Sequence, residues 1–255
     1  MIGKSFRVFV RVLVFGLLLG TSSTAYADAF SLTSFSITNL QFTTSTGTAQ
    51  FTLTGSMARA DASNLVQTQS IISNNFPIAQ AAAVVNGASA SATANAATHS
   101  VSADSTASIG GCTCSAGSFG QAILTGTLVL SGADGLVDVN ISALTTLLRE
   151  VQTDQFGVAA ESETLFDILL NGIPIFSVQV EAANFTGPNG SSRVESAGEI
   201  ARTIRLQGGS ENTILVRLSS SSLVMNQVPE PATVALLVSG LGFMTGVLKK
   251  RRSKP

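Results

Sequence analysis

The sequence has no tryptophan, one tyrosine (Tyr26), one histidine (His99) and two cysteines (Cys112 and Cys114), and only 11% of its 255 residues are charged. Each shortage excludes something. Two cysteines are too few for a disulfide framework. Separated by Thr113 alone, with no further ligands close by in sequence, they are also too few for a structural zinc site. A single histidine without a Gly-x-Ser-x-Gly elbow gives little support to a hydrolase triad, and His99 reads as a surface residue in a tract of small side chains. Without tryptophan, a sugar-stacking platform has to use phenylalanine. Low charge does not imply wholesale disorder, because hydrophobic residues still make up 45% of the chain.

Lysine is missing from the middle of the chain. Lys4, Lys249, Lys250 and Lys254 all lie near the ends. Between Asp28 and Val228, six arginines stand against fourteen acidic residues, a balance of −8. So anionic a body repels phosphate backbones, and no nucleic-acid partner is expected.

The ends carry the clearest signals. Lys4, Arg7 and Arg11 precede the apolar run Val12–Leu19, and the segment that follows ends Ala25-Tyr26-Ala27. A cationic start, an apolar stretch and a small-x-small close have the order of a secretory signal peptide. Ala25 and Ala27 fit the small-residue pocket of signal peptidase, so cleavage is expected after Ala27. At the other end, Pro229-Glu230-Pro231 is followed by the uncharged run Ala232–Leu248 and then by Lys249-Lys250-Arg251-Arg252. About 17 residues of helix cover about 26 Å, the short end of what a bilayer core requires. The basic cluster predicts a cytoplasmic end. The two prolines hold Glu230 in an extended strip just outside the membrane. The expected organisation is a signal peptide over 1–27, an exported body over 28–226, and a tail over 227–255 whose transmembrane helix spans 232–248.

This tripartite C-terminus resembles the PEP-CTERM sorting signal, the bacterial tag handled by exosortases. The resemblance covers only about the last 27 residues. It implies a Gram-negative source, export, an inner-membrane-anchored intermediate, processing near Glu230 by an exosortase-like enzyme, and final delivery to the cell surface or beyond. It also implies association with exopolysaccharide or biofilm. About the fold of the body it implies nothing.

The body alternates with period two. Phe30 and Leu32, then Phe35 and Ile37, then Leu40 and Phe42, then Phe51 and Leu53 are each separated by one polar residue. This is the pattern of half-buried strands. Residues 56–118 are rich in Ala, Ser and Thr. Strand, disordered low complexity and helix all remain open there, and Pro77 breaks whatever precedes it. Ala122–Leu130 and Leu136–Leu148 return to strand, with a short helical piece expected over Thr145–Glu150. Asn171-Gly172 predicts a type I′ hairpin that sets Leu170 against Ile173, Ile168 against Ile175 and Leu165 against Val178. Pro174 is expected at an edge or outward position. Arg193–Leu206 and Thr213–Val224 close the series. Nine or ten strands without a long amphipathic helix predict an all-β antiparallel β-sandwich, jelly-roll-like.

Chemistry is sparse. In an exported protein Cys112 and Cys114 form a strained bridge or stay as free or intermolecular thiols. Asp134, Asp138 and Asp154 are candidates for a structural Ca²⁺, although none sits in an Asp-x-Asp-x-Asp-Gly loop; no other metal or cofactor is expected. Glu161 and Glu163 alternate on one strand face, where paired carboxylates serve a glycosidase or simply meet solvent. The first expectation is a non-catalytic surface or matrix protein. A polysaccharide-binding module or adhesin comes second, and a secreted hydrolase third.

Overall fold

The computed structural model describes residues 29–110, 115–153, 158–180, 185–186 and 190–226. Thirteen strands occur among them: β1 (Ala29–Thr44), β2 (Thr48–Asn64), β3 (Thr68–Ser73), β4 (Ile78–Val85), β5 (Ala88–Asn95), β6 (Ser100–Ile109), β7 (Ser115–Ser131), β8 (Leu136–Thr153), β9 (Val158–Leu170), β10 (Ile173–Val180), β11 (Phe185–Thr186), β12 (Gly190–Gln207) and β13 (Glu211–Asn226). They form two antiparallel sheets. The first has the order β12-β8-β1-β6-β5-β4, and the second β10-β9-β13-β7-β2-β3, with β11 also paired to β9. The sheets face each other in a sandwich-like arrangement around one buried cluster.

The interior tapers along the strands. At one end it is bulky, with Phe35, Ile37, Leu40 and Phe42 of β1 near Leu124, Leu128 and Leu130 of β7, and with Phe166 and Ile168 of β9 beside Leu218 of β13. Phe35 and Phe166 meet edge to face, ring centres 6.3 Å apart. Toward the other end the same strands turn in Ser31 and Thr33, Ala116 and Ser118, Ser162 and Thr164, and Ser220 and Ser222, all buried. Beyond them, β4 and β5 contribute only alanines to the core: Ala79, Ala81 and Ala83, then Ala88, Ala90, Ala92 and Ala94. The 56–118 tract is thus strand almost throughout, and its Ala/Ser alternation puts a methyl group inward and a hydroxyl or amide outward.

Small side chains bring the sheets close together. Cα atoms of β5 and β7, in opposite sheets, lie within 8 Å of each other, against the ~10 Å of ordinary stacked sheets. A Cβ on inward-facing Gly120 would stand 2.7 Å from the Ser91 carbonyl oxygen and 2.9 Å from that of Asp104. Hydroxyls bridge the narrow gap. Ser31 Oγ donates to the Glu161 carbonyl at 2.5 Å, and the Ser105 and Ser222 hydroxyls lie 3.0 Å apart. Among the described residues the buried hydroxyls of Ser162, Thr164 and Ser220 have no partner within hydrogen-bonding distance.

Three expectations are corrected, the helical piece over 145–150 and two of the hairpin pairs, and β1 shows two further departures from simple alternation. Residues 145–150 are strand within β8, because inward Leu147, Arg149 and Val151 keep the period of two. Phe30 and Leu32 lie on the outer face, half-buried, because the thin end admits only Ala29, Ser31 and Thr33 inside. The later phase change in β1 is a bulge between Thr38 and Gln41, where Asn39 takes a φ of 58°. The 171–172 turn has the positive φ angles expected, 50° and 81°, and Leu170 does face Ile173. A bulge after Pro174 then shifts the register, so Ile168 faces Phe176 and Leu165 faces Gln179. Pro174 has no N–H for the ladder, so the strand accommodates one extra residue there. It sits on edge strand β10, as expected.

Candidate functional site

The outer face of the second sheet carries a groove of about 350 Å³. Strand register builds it. Glu163 of β9 lies beside Ser221 of β13, Ser221 beside Phe119 of β7, Phe119 beside Asp61 of β2, and Asp61 beside Ser70 of β3. The next row is Glu161, Leu223, Gly117 and Ser63. All these side chains point outward because their neighbours Ala60, Ala62, Ser118, Gly120, Ser162, Ser220 and Ser222 point in. Gly117, Ser63 and Ser221 are small, so a depression forms between the taller Phe119, Leu223 and glutamates.

The polar groups around it are held in place. Arg59 Nε donates to Asp61 Oδ2 at 2.7 Å, and the Ser70 hydroxyl donates to the other carboxylate oxygen. Gln179 Nε2 donates to Glu163 Oε1 at 2.6 Å. The Arg59 guanidinium lies 5.8 Å from the Phe119 ring centre, a cation–π distance. The result is a row of oriented acceptors beside one aromatic face, able to receive hydroxyl donors while the ring covers an apolar surface. Further along the same face, Asp167 is almost fully buried between Arg217, whose Nε donates at 3.0 Å, and Ser177, whose hydroxyl donates at 2.7 Å. That pair braces β9 against β10 and β13.

The residues singled out from sequence scatter. Glu161 and Glu163 both enter the groove. Asp138 is engaged by Arg205 Nε at 2.8 Å, and Asp134 stands in the exposed turn before β8. Among the described residues no three His, Cys, Asp or Glu side chains form a metal-binding group. His99 is half-buried, with φ 49° in the turn before β6 and its ring edge-on to Phe51 at 5.9 Å. This differs from the surface position expected, since a turn over the bulky end of the core brings the ring down onto phenylalanine. Ala25, Ala27, Cys112, Cys114, Asp154, Pro229, Glu230, Pro231 and Lys249–Arg252 lie outside the described residues, as does 232–248. Among the described residues no helix is long and apolar enough to cross a membrane.

Sequence reading missed Phe119, Asp61, Arg59 and Gln179. Phe119 carried a signal, as the single large side chain in Gly117–Gln121. Its carboxylate neighbours are remote in sequence and meet it only through register. No protein-family model matches the chain, and neither does any curated protein or solved structure.

Proposed function

We propose that the chain is an exported, non-catalytic surface or matrix protein whose body, a jelly-roll-like sandwich, holds extracellular polysaccharide in the groove over Phe119. The observation that carries this reading is the cross-strand row Glu163–Ser221–Phe119–Asp61. It combines the two requirements of glycan contact: an aromatic face for the C–H side of a sugar ring, and fixed acceptors for its hydroxyls. The volume matches the lower range of small-ligand sites, and the groove is open, which suits a polymer passing through. Phenylalanine takes the place of the absent tryptophan. The carboxylates of Asp61 and Glu163 already accept hydrogen bonds from neighbouring side chains, which favours an acceptor role over proton transfer.

Delivery rests on the ends. The signal peptide takes the chain to signal peptidase, and the Pro229-Glu230-Pro231 strip, the helix over 232–248 and the basic cluster retain it in the inner membrane until an exosortase-like enzyme releases it. The proposed final location is the surface or matrix of a Gram-negative bacterium.

Two measurements test this. Affinity electrophoresis through gels containing acidic and neutral exopolysaccharides should show retardation that is lost in Phe119→Ala and weakened in Glu163→Gln. Equal mobility of both variants and the parent in every gel would remove the binding role. Fractionation of cells carrying alanines at Pro229, Glu230 and Pro231 should leave the protein in the inner membrane at higher mass. Unchanged mature mass and surface amount would remove the sorting role.

A further inference from the structure

The two sheets have four edges, and three are closed to further pairing. Edge strand β10 is short and interrupted by Pro174 and its bulge. Edge strand β3 has only six residues. Its Gln69 reaches across to the other sheet, where Oε1 accepts the Val84 N–H of edge strand β4 at 2.7 Å and so caps that edge. These are the usual devices against edge-to-edge association. The fourth edge, β12, has none of them. It runs from Gly190 to Gln207 without proline or register shift, pairs with β8 along its whole length, and is exposed along most of it. Among the described residues nothing pairs with its other side.

Its charges are of both signs, Arg193, Glu195, Glu199, Arg202 and Arg205, so a suitable register can set opposite signs against each other across a second strand. Odd-numbered residues of β12 point away from the core, including Arg193, Glu195, Glu199 and Arg205. Arg205 uses Nε for Asp138 of β8, and its side chain remains 73% exposed; that of Glu195 is 71% exposed. We propose that β12 pairs antiparallel with β12 of a second copy of this chain, about a two-fold axis at Ile200, joining the two six-stranded sheets into one. In that register Glu195 of each copy lies opposite Arg205 of the other, which continues the row begun by Asp138 and Arg205. On the inner face Ile200 meets Ile200, and Val194 meets Leu206. Moving the axis to residue 199 sets Arg193 opposite Arg205 and Glu199 opposite itself. Moving it to residue 202 sets Arg202 opposite itself. Like charges directly opposite are unfavourable, which disfavours those two registers; the axis at Ile200 is preferred because it sets two Glu195–Arg205 pairs opposite each other without such a clash and matches apolar residues on the inner face.

The test uses the full-length chain in mild detergent, with sedimentation velocity across a concentration series and circular dichroism to verify folding. The parent should dimerise, more weakly as salt rises. Glu195→Arg and Arg205→Glu should each raise the dimer Kd about tenfold, because two pairs per dimer change from attraction to repulsion. The double variant should return to near the parent value, although each new side chain keeps an unfavourable neighbour within its own copy. A monomeric parent would overturn the proposal. So would a dimer whose Kd ignores all three variants, since that would place the contact on the tail helix or another face. If one variant fails to fold, Glu195→Gln and Arg205→Gln, which remove the cross-copy charge pairs without adding repulsion, should each weaken the dimer; a Kd unchanged in both overturns the proposal.

Discussion

Adding one methyl group at Gly120 tests the close approach of the two sheets. Neither Gly120 nor Gly117 needs a positive φ, so alanine fits the backbone at both. The surroundings differ. At Gly120 the new Cβ would lie 2.7 Å and 2.9 Å from backbone oxygens of the opposite sheet, and 3.3 Å from Ser220 Oγ. Backbone cannot rotate aside as a side chain does, so the sheets must part locally by about half an ångström. Overpacking of this kind costs ~1–3 kcal/mol. The restricted unfolded chain returns ~0.4–1 kcal/mol, which leaves a net loss of about 1–2 kcal/mol. For a body of this size each 1 kcal/mol moves Tm by ~2–4 °C, so Gly120→Ala should melt ~2–8 °C lower. At outward Gly117 the nearest atom would be Leu223 Cδ1 at 3.4 Å, an ordinary contact. Gly117→Ala should therefore be neutral or gain up to ~1 kcal/mol. Thermal and urea unfolding followed by far-UV circular dichroism separates the two. Equal Tm values, or a stabilised Gly120→Ala, would refute the claim that the sheets touch there.

Other perturbations probe separate features. Asn171 combines a φ of 50° with a side chain whose Oδ1 accepts the Thr213 N–H at 2.8 Å and whose Nδ2 donates to Asn212 Oδ1 at 3.0 Å; Asn171→Ala should cost ~1–2 kcal/mol and Asn171→Gly less, measured by urea midpoint, because glycine keeps the backbone and loses only the side-chain hydrogen bonds. Ser220→Ala removes a buried hydroxyl that has no partner among the described residues and should raise stability by about 1 kcal/mol; a drop of that size in calorimetry would contradict this. Arg217→Met strips a charged donor from buried Asp167; since Arg217 is itself 39% exposed, a loss of ~1–3 kcal/mol is expected in place of the larger value for a fully buried pair. Asp167→Asn in the same background should recover part of that loss.

Local chemistry was legible wherever it acted alone. Asn171-Gly172 marked its turn because two positive φ angles have few other solutions, and alternation marked β7, β8, β12 and β13 because one face of each meets the core. The Ala/Ser tract was ambiguous for a physical reason: alanine favours a helix, the interleaved Ser, Thr and Asn oppose one, and nothing local commits the tract to strand until a second sheet stands close enough to bury the alanine methyls. Pairings that depend on bulges were out of reach, since the extra residue at Ile175 moves Phe176 and Gln179 into places that simple counting assigns to Ile175 and Val178. The groove lay hidden for the same cause. Asp61, Phe119 and Glu163 lie far apart along the chain, and only lateral hydrogen bonding through β2, β7, β13 and β9 aligns them.

Among the described residues the first and last strands both lie well inside their sheets: β1 is held by β6 and β8, and β13 by β7 and β9. Synthesis delivers Ala29 well before Asn226. Until Asn226 emerges, β7 and β9 have no central mate, and the second sheet remains two loose halves. Loop-closure entropy must therefore be met late and nearly all at once, so completion of the second sheet follows synthesis of β13 instead of accompanying synthesis of the earlier strands. If the body is exported as proposed above, this delay would help it, because the second sheet could not close before β13 had passed the channel.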